Sequence, residues 1–237
     1  EQLLRSVVRA VPDGAVRVVD LGAGTGNASR IVLEGRDRPS VWAVEKNMAM
    51  LDSFRAKEWV RAAGDRLKIV KSSVEHLEML ASEEPFDAAV AVNTLYAVDD
   101  VPACLGSLNQ VLRLGGTFSF STTDKNTKLG PLLDDIAAEL SRRADWKELL
   151  PHYNRVQSLN MKLEEKGVTT RYTRDQYIAW LEQAGFRVDL YEPGHYTGAV
   201  VVGRATKVAE LVPPAEESAP ALAVVRPAAP VLSATTT

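Results

Sequence analysis

The stretch VRVVDLGAGTGNAS, residues 16–29, decides the fold of this chain. An apolar run ends in Asp20, and three glycines follow within five positions, at Gly22, Gly24 and Gly26. Glycine costs backbone entropy, so such a cluster indicates a turn whose backbone must take unusual conformations or be approached closely by a ligand. An apolar strand, a glycine-rich turn and a helix in this order are typical of the first unit of a doubly wound α/β sheet.

Apolar runs and helical patterns continue to alternate beyond this unit. Four further runs predict strands, at residues 41–45, 66–72, 86–93 and 117–123. Continuous apolar strands separated by helices indicate a parallel sheet that is covered on both faces. Two later runs, at 186–193 and 198–205, are joined by a short turn and predict an antiparallel hairpin. The predicted fold is therefore a doubly wound α/β domain with a mostly parallel, seven-stranded sheet.

Two segments depart from this alternation. Residues 124–172 contain two amphipathic patterns, at 130–150 and 152–167, without a strand between them. An insertion after the fifth strand falls at the carboxyl edge of the sheet, where ligands bind, so it is predicted to form a lid or substrate wall. The alternative interpretation is an extra helical layer that serves stability alone. The domain is predicted to cover residues 1–206, and the Ala- and Pro-rich residues 207–237 are predicted to form a disordered tail.

Composition excludes several classes of protein. The net charge of −3 creates no field that would gather nucleic acid, and no apolar run approaches the ~18 residues of a membrane span. The single cysteine, Cys104, excludes an internal disulfide and fits the reducing cytoplasm. Three scattered histidines show no metal-ligand spacing, so no metal is expected. The composition is compatible with a homodimer.

The glycine turn and Asp20 together restrict the class of ligand. The N-terminus of a helix attracts anions, but a carboxylate beside it would repel a pyrophosphate. A ligand that carries both an ammonium and a carboxylate would suit Asp20 and the free backbone N–H groups together. The amino-acid end of S-adenosylmethionine has this chemistry.

The stretch VVDLGAGTGNAS resembles the first motif of the class I S-adenosylmethionine-dependent methyltransferases. The resemblance implies that the cofactor lies along this turn and contacts five residues there: Asp20, Gly22, Ala23, Gly24 and Gly26. It covers about residues 1–123 and 173–206, including the fifth-strand segment LNQVLRLGGTFSFS.

Later motifs of this family appear in the same order along the chain. Glu45, followed by Lys46, ends VWAVEKN, where the family places the acid that binds both ribose hydroxyls. In KIVKSSVEHL, Ser73 stands where the family usually has the Asp that borders adenine, and Val74 follows at the apolar position. In FDAAVAVNTLYAV, three residues are implied to border the methionine portion: Asn93, Thr94 and Leu95.

The resemblance implies an enzyme that transfers a methyl group to oxygen, carbon or nitrogen of a small molecule. A general base is needed only when the acceptor keeps its proton at neutral pH. His195, in the turn between the last two strands, is the candidate base because that turn is expected at the carboxyl edge. Two alternatives stay open: a non-catalytic binding protein with the same fold, and a dinucleotide-binding Rossmann enzyme, which the G-x-G-x-G spacing and Asp20 oppose.

Overall fold

The computed structural model describes residues 2–35, 39–81, 84–123, 125, 127–165, 172–196 and 199–211. These residues form seven strands: β1 Arg17–Leu21, β2 Ser40–Glu45, β3 Leu67–Lys71, β4 Phe86–Val92, β5 Leu112–Thr122, β6 Phe186–His195 and β7 Val200–Lys207. They form one sheet in the order β3-β2-β1-β4-β5-β7-β6. β7 pairs antiparallel with β5 and β6, and the other pairs are parallel. The predicted fold class is confirmed.

Eight α-helices accompany the sheet in the described part of the chain: α1 Gln2–Val8, α2 Asn27–Leu33, α3 Met48–Arg55, α4 Glu58–Ala63, α5 Val101–Val111, α6 Leu129–Leu140, α7 Trp146–Glu165 and α8 Arg174–Gln183. Two helix starts follow the signals in the sequence. The Asp100 carboxylate accepts a hydrogen bond from the Ala103 N–H at the start of α5, and Thr173 and Gln176 form a capping box at the start of α8.

Successive residues of a strand face opposite sides of the sheet, and each side is buried. On one side, Val19 and Leu21 of β1 belong to a large core cluster that contains most of the apolar side chains of α5 and α8. On the other side, Val18 packs in a cluster with Leu3 and Val7 of α1. Cys104 is fully buried in the first cluster, and burial raises its pKa to about 12, so it is a core residue and not a nucleophile.

Three helix boundaries differ from the sequence-based prediction. The apolar pattern from Met48 to Gly64 predicts one helix, but this segment forms α3 and α4. Between them Lys57 has an extended backbone, and its Nζ donates hydrogen bonds to the Thr25 carbonyl oxygen and the Asn27 side chain. Gly115 is a typical residue at a helix end and predicts that the helix before β5 stops there, but α5 ends four residues earlier, at Val111. The two helices of the insertion meet at residues 141–145, and Pro151 lies inside α7.

The ordered chain continues beyond β7. The Asn109 side chain donates to the Ala209 carbonyl oxygen and accepts from the Leu211 N–H, and buried Lys207 pairs with Glu210 at 2.6 Å. The domain therefore extends past the predicted boundary at residue 206, at least to Leu211. Residues 212–237 of the expected tail lie outside the described residues. Within the described part of the chain, every helix is too short or too polar to cross a lipid bilayer.

Candidate cofactor site

A crevice runs along the carboxyl edge of β1, β2 and β4. It consists of two adjoining cavities of about 420 and 440 Å³, which share Gly22, Gly24, Met50 and Asn93 in their walls. Each cavity falls in the ~300–1,000 Å³ range of small-molecule sites. The two share these four residues, so one elongated ligand can occupy both.

The glycine turn after β1 forms the floor of this crevice. Gly22, Gly24 and Gly26 all have positive φ, at 64°, 56° and 82°. A Cβ atom at Gly22 would lie 2.4 Å from the Thr94 side chain, and one at Gly26 would lie 2.3 Å from the Phe54 ring. A Cβ at Gly24 would meet nothing within 4 Å, because this residue faces the open crevice. Of these three glycines, Gly24 alone has open space where a side chain would lie, so a ligand can approach its backbone.

Asp20, at the end of β1, lies under the second cavity and is 1% exposed. Its carboxylate accepts a hydrogen bond from Ser29 Oγ at 2.5 Å. Burial raises the pKa of Asp20 from 3.8 to about 6, and nearby Glu45 adds to this effect, whereas the hydrogen bonds from Ser29 lower it. A buried carboxylate with this pKa favours a cationic group of a ligand beside it.

Glu45, the last residue of β2, lines the first cavity. Its Oε2 accepts from the Gly24 N–H at 2.9 Å, and its Oε1 accepts from the Asn47 N–H at 2.7 Å. These bonds hold the carboxylate against the glycine turn and leave further lone pairs for a ligand, since a carboxylate accepts about four hydrogen bonds. The arrangement suits a pair of neighbouring hydroxyl groups.

Asn93 leaves β4 with a φ of 54°, which is uncommon for a residue other than glycine. Its N–H donates to the Ser121 carbonyl oxygen at 3.1 Å and to Ser121 Oγ at 3.0 Å. The next residue, Thr94, donates from Oγ1 to the Leu21 carbonyl oxygen at 2.9 Å. These bonds tie the ends of β1, β4 and β5 together where the two cavities meet.

The loop after β3 differs from the expectation for Ser73. Ser73 does not line the first cavity itself, and its hydroxyl donates to the carboxylate of Glu75, which does line it. Burial opposes ionisation of Glu75, but the hydrogen bonds from Ser73 and from the Glu75 and Asp99 N–H groups, with Lys46 nearby, outweigh it and lower the pKa. Glu75 therefore places a negative charge at this end of the crevice.

The turn between β6 and β7 contributes Tyr196 to the wall. β6 runs parallel to β5, so His195 reaches the carboxyl edge, as expected. Its Nε2 lies 2.8 Å from Ser6 Oγ, in a groove beside the crevice that also contains Tyr196. Tyr196 has a φ of 52° and borders both the groove and the second cavity. Tyr196 is therefore the residue that the groove of His195 shares with the crevice.

The structure brings most of the sequence-predicted site residues together. Nine of them line the two cavities: Asp20, Gly22, Ala23, Gly24, Glu45, Lys46, Val74, Asn93 and Thr94. Four do not: Gly26 packs against Phe54, Ser73 faces Glu75, Leu95 is buried in the core, and His195 lies in the neighbouring groove.

Sequence reasoning missed Glu75 and gave Tyr196 no role. Glu75 carries a sequence signal, because it is the first carboxylate after the position where the family has Asp. Leu3 and Leu4 of α1 also form part of the wall, but no sequence signal indicates this, because their position depends on how α1 packs against the sheet.

The residues present fit S-adenosylmethionine. The buried Asp20 carboxylate suits an ammonium, the open space at Gly24 suits a chain lying on bare backbone, and the fixed carboxylate of Glu45 suits a diol. Among the described residues, no group of three His, Cys, Asp or Glu side chains is placed to hold a metal ion.

Comparisons with known proteins identify the family of this chain. Residues 1–191 match the family model described as a methyltransferase domain. Over 132 residues the chain is 29% identical to the highly reducing polyketide synthase pkhB of Emericella nidulans, with 52% of this chain and 5% of that protein aligned. It is 27% identical over 127 residues to the biotin biosynthesis bifunctional protein BioHC of Saccharophagus degradans, covering 54% of this chain and 22% of that protein. The chain thus spans a small part of these curated relatives.

A solved structure gives the same fold over most of the chain. The 1,6-didemethyltoxoflavin-N1-methyltransferase of Burkholderia thailandensis, with S-adenosylhomocysteine bound, matches with a TM-score of 0.58 and 19% identity, covering 88% of this chain and 80% of that one. The family match, the sheet order and the crevice lead to one conclusion. The chain belongs to the class I S-adenosylmethionine-dependent methyltransferases and uses S-adenosylmethionine as its methyl donor.

Proposed function

We propose that this chain methylates a small-molecule acceptor that enters between α1, Asn93 and Tyr196. The observation that carries the proposal is the second cavity, where the ionic end of the crevice meets an apolar wall of Leu3, Leu4 and Val92. A partly apolar cavity of about 440 Å³ suits a small molecule. The proteins that the chain resembles include a polyketide synthase, a biotin-biosynthesis protein and an N-methyltransferase, which supports the proposal without selecting carbon, nitrogen or oxygen.

The residues of the crevice would hold the donor at three points. Asp20 would pair with its ammonium, the turn at Gly24 would lie under the methionine chain, and Glu45 would accept hydrogen bonds from the ribose hydroxyls. S-adenosylmethionine supplies a methyl group that its sulfonium already activates for displacement. The contribution of the protein is then to align the acceptor with the methyl carbon and to exclude water.

Proton removal depends on the acceptor. Methylation by in-line displacement forms a bond from the acceptor atom to the methyl carbon, and the carbon–sulfur bond breaks with its electron pair going to sulfur. An acceptor that attacks with a lone pair while bearing a proton must lose that proton to a base or to water. His195 lies in the neighbouring groove, where its Nε2 contacts Ser6 Oγ. It can therefore act as the base only for an acceptor that extends past Tyr196 into this groove.

The proposal is tested by incubating the protein with S-adenosylmethionine and a panel of small metabolites, and by measuring S-adenosylhomocysteine and methylated product together. Acceptor-dependent formation of both supports it. Formation of neither, while the protein still binds S-adenosylhomocysteine, would favour the binding-protein alternative. Glu45→Gln is the matched variant. It should weaken cofactor binding by roughly 10- to 100-fold, because it removes charge-assisted hydrogen bonds.

A further inference from the structure

The order of groups along the crevice places the adenine end of the cofactor. Asp20 lies at one end and Glu45 in the middle, and the cofactor has its amino acid, ribose and base in the same linear order. The base must therefore lie beyond Glu45. The wall there is formed by Val74 and Val98, which are almost fully buried, and by Glu75. Flat apolar sides with one carboxylate at the edge suit an aromatic ring that carries a hydrogen-bond donor.

Glu75 is held in place from three separate parts of the chain. Ser73 Oγ donates to Oε2, and the Asp99 N–H, before α5, donates to Oε1 at 3.2 Å. The backbone of Glu75 is fixed as well, because Ser107 Oγ on α5 donates to the Glu75 carbonyl oxygen at 2.9 Å and accepts from the Leu77 N–H at 3.1 Å. The Glu75 N–H donates to the carboxylate as well, so three of about four acceptor positions are occupied and one remains for a ligand donor.

We propose that Glu75, oriented by Ser73, is the residue that selects adenine in this protein by accepting a hydrogen bond from the exocyclic amine. This inference rests on the proposed donor site. It explains why the position of Ser73 can do without a carboxylate, since the charge is supplied two residues later and the serine hydroxyl holds it. A carboxylate only accepts hydrogen bonds, so it favours an amine and disfavours a carbonyl oxygen at the same position.

The experiment compares two ligands by isothermal titration calorimetry. One is S-adenosylhomocysteine, and the other is S-inosylhomocysteine, in which a carbonyl oxygen replaces the exocyclic amine. The native protein should bind the adenosine compound at least about tenfold more tightly. In Glu75→Gln, the amide can donate to the carbonyl oxygen, so this ratio should fall by at least about tenfold. Ser73→Ala should also lower this ratio, but by a smaller factor than Glu75→Gln, because the carboxylate remains but is no longer oriented by the hydroxyl.

Glu78→Gln is the matched control. Glu78 lies three residues further along, is exposed, pairs with His76 at 3.5 Å and does not line the crevice. This variant should keep the native ratio, and thermal unfolding of every variant checks that it is folded. A native ratio in Glu75→Gln would overturn the role of Glu75 and leave the donor site standing. Failure of the native protein to bind S-adenosylhomocysteine would overturn both.

Discussion

Gly26 faces the ring of Phe54, Gly22 faces the side chain of Thr94, and Gly24 faces the open crevice. All three have a left-handed backbone, but the surroundings of the missing side chain differ at each position. Residues of one motif therefore serve different purposes: Gly26 and Gly22 let the turn pack against the domain, and Gly24 leaves room for the ligand. The sequence pattern alone shows three equivalent glycines.

Alanine at two of these positions should separate folding from binding. Both substitutions carry the left-handed penalty of about 1–2 kcal/mol. Gly26→Ala must also displace the Phe54 ring, which adds a core-overpacking cost of about 1–3 kcal/mol, so it should melt at a clearly lower temperature than Gly24→Ala. Gly24→Ala should instead lose affinity for S-adenosylhomocysteine in calorimetry. Equal melting temperatures, or native affinity in Gly24→Ala, would contradict this assignment.

The buried Asp20 carboxylate lowers the stability of the unliganded protein but favours binding of a ligand that carries an ammonium group. Its pKa is raised from 3.8 to about 6, so the unliganded native protein holds this proton more tightly than the unfolded chain does. The free energy of unfolding therefore falls as the pH rises from about 4 to about 6, and at pH 7 the full penalty of about 3 kcal/mol is present. Asp20→Asn should melt at pH 7 at or above the native temperature, although it binds S-adenosylhomocysteine more weakly.

The pH dependence of binding provides the second measurement. In the native protein, affinity for S-adenosylhomocysteine should fall as the pH drops through about 6, because protonation of Asp20 removes the charge that faces the ammonium. Asp20→Asn should lack this dependence. A parallel decline in both proteins would show that another group is responsible.

Among the elements, α6 and α7 of the insertion differ in how they are attached. Leu129 and Leu133 of α6 are buried, whereas α7 has no buried residue among its described side chains and is held to α6 by a hydrogen bond of 2.7 Å from Tyr153 Oη to the Leu133 carbonyl oxygen. α6 also lines the groove that contains His195 and Tyr196. None of the described residues of this pair lines the two cavities of the crevice.

Replacing residues 129–165 with a short Gly/Ser linker should therefore change acceptor use and spare cofactor binding. Affinity for S-adenosylhomocysteine should stay within about tenfold, or ~1.4 kcal/mol, while methyl transfer is lost or extends to further acceptors of the panel. Circular dichroism and thermal unfolding show whether the shortened protein is folded. A folded protein that no longer binds the cofactor would place this segment in the cofactor site.

For the whole molecule, the end of the domain is decided by contacts between distant segments. Lys207 is 2% exposed and donates to the carbonyl oxygens of Asn109 and Leu112, and Glu210 neutralises its charge. Leu211 packs against the large core cluster. Residues 208–211 therefore close the end of the sheet near α5, and they belong to the folded unit.

Two truncations test this boundary. A chain that ends at Leu211 should unfold at the same temperature as the full chain. A chain that ends at Lys207 lacks the Glu210 carboxylate that pairs with the buried Lys207 ammonium and the Ala209 and Leu211 partners of the Asn109 side chain. Each loss costs about 1–3 kcal/mol, so the melting temperature should fall by several degrees. Equal melting temperatures for the two truncations would contradict the assigned boundary.

The alternation of apolar strands and helices, together with the glycine turn, was sufficient to predict the sheet, and the resemblance to the methyltransferase family implied nine residues that line the crevice. These features depend on local periods and on backbone conformation, which neighbouring residues determine. The positions of Asp20, Glu45 and Asn93 at strand ends were predictable for the same reason, because the carboxyl ends of parallel strands meet at one edge.

Which side chains face the ligand was decided only by the tertiary structure. Glu75 faces the crevice because Ser107 and Asp99, about 24 to 32 residues away in the chain, fix its backbone and carboxylate. His195 lies in the groove beside the crevice, where Ser6 of α1 contacts its Nε2. At Lys57, between α3 and α4, the backbone is extended and the ammonium donates a hydrogen bond to the glycine turn. Each outcome depends on hydrogen bonds between segments that only the folded chain brings together. The local sequence therefore indicates Glu75 as a candidate, but it does not determine where any of these side chains lies.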